Sequence, residues 1–138
     1  MHEAKTKAKM EILAPAGDRE AFIAAVENGA DAIYLGGKLF NARQFAQNFE
    51  LEEIAQLTRY AHLNNVKVLI TLNILIADSE METALDYAHK LMEAEVDGII
   101  VQDIGLAYAL RYVLPDSIEV HASTQMTIHN EYGACFLQ

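Results

Sequence analysis

Short apolar runs alternate along this chain with longer stretches of helical period. Runs that are apolar throughout suit strands covered on both faces, and stripes recurring every three or four residues suit helices packed on them by one side. The first run, Ile12 to Ala16, is ended by Gly17; Asp18 is a good N-cap, and Phe22, Ala25 and Val26 recur at helical spacing until Asn28 and Gly29 close the helix. The second run, Ala32 to Leu35, meets Gly36 and Gly37. A polar loop with Asn41 and Arg43 then leads to a helix carrying Leu51, Ile54, Leu57 and Ala61 on one face. The third run, Val66 to Leu72, leads into Asn73; its helix opens with Ser79 and Glu82 at capping-box spacing and shows the stripe Met81, Ala84, Leu85, Ala88, Leu91 and Met92. The fourth, Gly98 to Val101, is followed by Gln102, Asp103 and a helix from about Ile104 that Pro115 cannot continue. The fifth, Ile118 to Ala122, leads to Ser123, Thr124 and Gln125, and a last helix runs from Glu131 to Gln138.

Repeated βα units with short connections predict an α/β fold on a parallel sheet. An internal echo supports one continuous architecture: Ala30-Asp31-Ala32-Ile33-Tyr34-Leu35 returns two units later as Val96-Asp97-Gly98-Ile99-Ile100-Val101, each Asp just before a strand. Five strands suit either an open doubly wound sheet or an incomplete eight-stranded barrel of about 250 residues. The length of 138 residues favours the open sheet, whereas an ending inside a helix favours the barrel. The reading adopted is the N-terminal part of a TIM-like (βα) barrel over residues 10–138, truncated at its C-terminus and preceded by a polar tail, residues 1–9. The five strands are expected to be parallel, in spatial order one to five, with right-handed crossovers. A barrel cut after its fifth strand leaves an open edge, which predicts self-association.

Charge narrows the partners. Ten Lys and Arg stand against twenty Asp and Glu, a formal charge of -10, which disfavours a surface built to neutralise phosphates or to lie on an anionic membrane. Lys5, Lys7 and Lys9 alternate with small residues and read as a solvated tail. No apolar run approaches the roughly 20 residues that span a bilayer, and no apolar segment follows the N-terminal lysines. With Cys135 as the one cysteine, an internal disulfide is excluded and a reducing, cytoplasmic setting is expected.

In parallel α/β folds the polar residues just after the strands face the ligand. That rule selects Gly36, Gly37, Asn41, Arg43, Asn73, Gln102, Thr124 and Gln125 for substrate binding, with Asp103, His121 and Ser123 for catalysis. Arg43 has the fork to clamp a carboxylate or phosphate, or to make a surface ion pair. Asp103 suits a general base but also stands where a helix N-cap belongs. His121 and Ser123, two residues apart in a strand, point to the same face and suit an acid-base and nucleophile pair; a histidine satisfied inside the core is the alternative. His62 and His89 fall in helices, no histidine pair has the i, i+4 zinc spacing, and the glycine-rich phosphate fingerprints are absent. Neither an iron–sulfur cluster nor a structural zinc is expected on this chain, where Cys135 shares a helical face with Tyr132 and suits packing.

Six ordered segments carry a resemblance. They are Leu13-Ala14-Pro15-Ala16-Gly17-Asp18; Asn28-Gly29-Ala30-Asp31-Ala32-Ile33-Tyr34-Leu35-Gly36-Gly37; Phe40-Asn41-Ala42-Arg43; Thr71-Leu72-Asn73; Val101-Gln102-Asp103-Ile104-Gly105; and His121-Ala122-Ser123-Thr124-Gln125-Met126 with His129-Asn130. Together they resemble the opening of the collagenase-like peptidases, family thirty-two of the peptidases of unknown catalytic type. The resemblance implies a barrel-like fold. It also implies membership of a group that holds proteases together with factors for hydroxylating transfer RNA, ribosomal RNA or ubiquinone precursors. For the hydroxylation members it implies an iron–sulfur cluster held by four cysteines downstream of this region. Glu95 departs from the pattern, which has glycine before Val-Asp, and bears on how the third helix ends. The expected function is therefore that of the N-terminal region of a collagenase-like peptidase acting on a peptide. The alternatives are part of a protein acting on RNA by hydroxylation, and an inactive open α/β binding module.

Overall fold

The computed structural model describes residues 10–42 and 48–137, so Arg43 lies outside the described residues. Among these residues five strands, β1 (Leu13–Pro15), β2 (Ala32–Gly36), β3 (Lys67–Leu72), β4 (Gly98–Val101) and β5 (Glu119–Ala122), alternate with five α-helices. The helices are α1 (Arg19–Glu27), α2 (Leu51–Leu63), α3 (Met81–Glu93), α4 (Ile104–Val113) and α5 (Glu131–Leu137). The sheet order is β1-β2-β3-β4-β5 and every neighbouring pair is parallel, as the alternation of runs and stripes predicts.

Strand parity decides which face each residue covers. Ile33 and Leu35 of β2, Val68, Ile70 and Leu72 of β3, and Ile99 and Val101 of β4 point to the helix side. There they pack with Phe22, Ile54, Leu57, Leu91, Leu106 and Leu110, all essentially inaccessible to solvent. Burying each such side chain contributes about 1.5–3 kcal/mol, so this layer supplies the main driving force. The opposite parity places Tyr34, Gly36, Lys67, Leu69, Thr71, Gly98, Ile100, Glu119 and His121 on the other, inner face, which would be the lumen of a complete barrel.

The first three helices end in one way. Gly29, Asn65 and Glu95 take positive φ of 89°, 58° and 61°, and each donates its N–H three residues back. The next residue, Ala30, Val66 or Val96, donates five residues back, which completes a Schellman ending each time. Glu95 thus holds a left-handed position that the family pattern gives to glycine. The echoed aspartates act at the same end of the sheet: Asp31 Oδ2 accepts the Ile12 N–H at 2.9 Å, and Asp97 Oδ2 accepts the Val68 N–H at 2.7 Å. Each carboxylate latches the preceding strand at an equivalent register, and His62 Nε2 lies 2.9 Å from Asp97 as well.

One helix start differs from expectation. A 3-10 turn, Asp78–Glu80, precedes α3, and the capping contact is Glu80 Oε2 accepting from the Ala77 N–H at 2.9 Å. Ser79 makes no cap. Only the carboxylate half of a capping box exists here, because the residue three before Glu80 is alanine and has no side-chain acceptor.

Candidate functional site

At the C-terminal ends of the strands the inner face opens into a trough of about 500 Å³. Asn41 forms its polar wall. The loop after β2 folds back so that Asn41, 5% exposed, lies over Gly36, where a Cβ would come within 2.6 Å of the Asn41 Cγ. Asn41 Nδ2 donates to Asn48 Oδ1 at 2.8 Å, and Thr71 Oγ1 lies 3.2 Å from Asn41 Oδ1 and 3.3 Å from the Leu35 carbonyl oxygen. Asn73 Oδ1 accepts the Ala42 N–H at 3.2 Å, which ties the loop after β2 to the end of β3. Ser123, Thr124 and Gln125 close the far side, with Tyr34 and Ile100 among the residues of the floor. No charged side chain lines the trough among the described residues.

The structure brings six of the sequence-selected residues, Gly36, Asn41, Asn73, Ser123, Thr124 and Gln125, into this one trough. The others fall elsewhere. Gly37 directs its Cα substituent toward the Tyr87 hydroxyl on the helix side; burial, with Glu50 adding to it, pushes that phenol up to about 12. Gln102 is half-buried at the end of β4 and does not line the trough.

Two residues expected to act in catalysis have other partners in the structure. Asp103 caps α4: its Oδ1 accepts the Leu106 N–H at 2.7 Å and its Oδ2 takes the Ile76 N–H at 3.4 Å, so its carboxylate serves two backbone donors and does not line the trough. His121 does share the inner face with Ser123, but the two do not form a hydrogen-bonded pair. Its Nε2 turns back toward the start of β5, 2.8 Å from Glu119 Oε2, while Ser123 Oγ accepts the Gln125 N–H at 3.2 Å. The carboxylate two residues back competes for the imidazole better than a hydroxyl already engaged in its own turn.

Thr71 and Tyr34 lie within strands and Asn48 lies late in the loop after β2, so the rule of polar residues just after strands points to none of the three. Thr71 and Tyr34 share strand parity with Gly36, a period-two signal present in the sequence. Among the described residues no three His, Cys, Asp or Glu side chains converge, and Cys135 is exposed on α5. With one cysteine, the chain lacks the four thiolates that ordinarily hold an iron–sulfur cluster. A larger concavity, about 620 Å³, lies beyond β5 at the uncovered flank of the sheet; Val101, Leu110, Leu114, Val120 and Phe136 line it together with Arg111, Asp116, Glu119 and His121. No described helix is long and apolar enough to cross a membrane.

A run of parallel βα units with an amide-lined trough at the strand C-termini defines part of a TIM-like barrel protein. The chain belongs to peptidase family U32, whose family model matches residues 17–138. It is 41% identical over 122 residues to the tRNA hydroxylation protein P1 of Bacillus subtilis, covering 88% of this chain and 29% of that protein. It is also 41% identical over 129 residues to a 23S rRNA 5-hydroxycytidine synthase of Escherichia coli, covering 94% of this chain and 19% of that one. With a collagenase of Porphyromonas gingivalis it shares 35% identity over 124 residues, 87% of this chain and 28% of the collagenase. The chain therefore spans less than a third of the length of each of these relatives. The solved U32 peptidase Mk0906 has the same fold, with a TM-score of 0.71 at 17% identity over 99% of this chain and 57% of that structure.

Proposed function

We propose that this chain forms a substrate-binding wall of a U32 protein that acts in RNA hydroxylation. The observation that carries this reading is the trough itself, which the described residues line with amides and hydroxyls, Ser123 being held in its own turn while His121 lies outside the trough against Glu119. Peptide hydrolysis by a serine needs a hydroxyl activated by an adjacent base, and among the described residues no Ser–His hydrogen bond supplies one. Asn, Gln, Ser and Thr side chains are suited to the donor and acceptor edges of an unpaired base and to a ribose hydroxyl. A trough that carries no charged side chain among the described residues, in a chain of formal charge -10, suits recognition of that kind. The names of the two relatives at 41% identity lend support. The setting is then cytoplasmic, and any iron–sulfur cluster rests on cysteines outside this chain.

The test is genetic and chemical together. Deleting the gene should remove a hydroxylated nucleoside from digested tRNA or ribosomal RNA, as read by mass spectrometry. Wild-type protein should restore it, and the Asn41→Ala and Asn73→Ala variants should not. An unchanged nucleoside profile, with cleavage of a peptide by the purified full-length protein, would assign the chain to proteolysis instead.

A further inference from the structure

The two edges of the sheet offer different backbone groups. In a parallel ladder each residue turns both its N–H and its C=O to one neighbour, and alternate residues turn opposite ways. Glu119 and Ser123 donate to the carbonyl oxygens of Asp97 and Val101, so Glu119, His121 and Ser123 serve β4 while Ile118, Val120 and Ala122 turn away from it. The Ile118 N–H goes to the Pro115 carbonyl oxygen. That leaves the Val120 and Ala122 N–H groups and the Ile118 and Val120 carbonyls without partners among the described residues. At the other edge Ala16 donates to Tyr34 and Ile12 accepts from Ala32, so the outward residues of β1 are Leu13 and Pro15, and Pro15 has no N–H to offer. The edge ready to pair is that of β5.

The flank beside it is apolar on the helix side. Val120 and Ala122 stand in register with Ile99 and Val101 and share their face, where Leu110, Leu114 and Phe136 line the concavity of about 620 Å³. Phe136 is 73% exposed, and no residue of α5 is buried. On the opposite face the edge carries a carboxylate and an imidazole, Glu119 and His121, which lie 2.8 Å apart.

The geometry points to a second copy of this chain as the occupant of this flank, its β5 antiparallel to the first about a two-fold axis at Val120. Val120 exchanges both backbone bonds with the partner's Val120, and each Ala122 N–H meets the carbonyl of the partner's Ile118. The axis stands perpendicular to the sheet, so the added strand brings its apolar side to the concavity. Charge selects the register. Pairing at Val120 sets Glu119 across from the partner's His121 on both sides of the axis, whereas the neighbouring registers set Glu119 against Glu119 or His121 against His121, and like charges directly opposite are destabilising. The pairing is independent of the reaction at the trough.

Sedimentation equilibrium of the 138-residue chain should show a dimer that dissociates on dilution. Val120→Pro removes an outward N–H that β4 does not use, so circular dichroism should report an intact fold while the dissociation constant rises by about 30-fold. Register is read by mild oxidation of single-cysteine chains made in a Cys135→Ser background. Residues directly opposite in such a pair lie about 5.5 Å apart at Cα, within disulfide reach, so Val120→Cys should cross-link to its own copy and His121→Cys should not. Should Val120→Pro unfold the chain, the cross-linking pattern decides. Cross-linking through position 121 in preference to 120, or association untouched by Val120→Pro in a folded chain, overturns the proposal. A monomer at every concentration also overturns it, and protection of the Val120 and Ala122 amides from hydrogen exchange in that monomer would assign the edge to another segment of the same chain.

Discussion

Replacing Gly36 with alanine tests the construction of the trough at its tightest point. The new methyl would lie 2.6 Å from Asn41 Cγ and 3.1 Å from its Oδ1, well inside contact distance, and the obstructing group is a buried amide rather than the loose end of a long chain. Asn41 would have to leave. Overpacking of this kind costs about 1–3 kcal/mol, and each neutral hydrogen bond lost costs at least about 0.5 kcal/mol more. Since Asn41 bonds both Asn48 and Thr71, the expected loss is about 2–4 kcal/mol, a large part of the roughly 5–15 kcal/mol typical of a folded domain. Urea unfolding measures it: with a slope of about 1–3 kcal/mol per molar, the midpoint should fall by about 1–2 M at unchanged slope. A double-mutant cycle sharpens the test. Asn41→Ala removes the obstruction, so Gly36→Ala in that background should cost less than about 1 kcal/mol, a coupling of about 1–3 kcal/mol. If Gly36→Ala costs under about 0.5 kcal/mol, or the two effects simply add, the account of the loop folded over Gly36 is wrong.

Three further outcomes are expected. Glu95→Gly should raise thermal stability by about 1 kcal/mol, because Glu95 holds a φ of 61° that an L side chain adopts at a cost of about that size; no gain would mean that the Glu95 side chain offsets it. Thr58→Val should also stabilise, by about 1 kcal/mol, since Thr58 is fully buried on α2 and its hydroxyl has no partner among the described residues; a loss of stability would show that the hydroxyl is bonded. Lys67→Met should cost less than about 1 kcal/mol at neutral pH, because both members of the Lys67–Glu119 pair are about half exposed. Glu119 is lowered from its ordinary 4.5, so its contribution is present above that value and lost as pH falls through the lower folded value. Lys67 is raised from 10.5, so its contribution holds up to that value and fades only above it. Unfolding curves of the two proteins should therefore converge in acid, and a gap that persists there would contradict the assignment.

Much of the architecture was legible in the chain because period is a local property. Uniformly apolar runs had to be two-sided strands, stripes at helical spacing had to be helices packed on them, and strand–helix alternation left a parallel sheet in sequential order as the natural arrangement. Asp18, Asn28 and Pro115 marked ends through their own backbone chemistry. The Asp31 and Asp97 echo was visible as a pattern, but its meaning, a carboxylate latched onto the strand before it, needed a contact between β-strands far apart in sequence. The site divided along the same line. Residues after strands could be nominated from position alone, and six of them share the trough. Which of them face it depended on tertiary contacts: Asp103 is drawn away by the free N–H groups of α4 and the Ile76 backbone, and Gly37 by Tyr87. Most of all, His121 could be matched to Ser123 by parity, yet Lys67 lies more than fifty residues from Glu119, and only the folded sheet brings that lysine across Gly98 to fix the carboxylate that holds the imidazole. Secondary structure follows from each residue's neighbours in the chain, whereas the direction of a hydrogen bond follows from whichever partner the fold delivers with the stronger charge and the shorter reach.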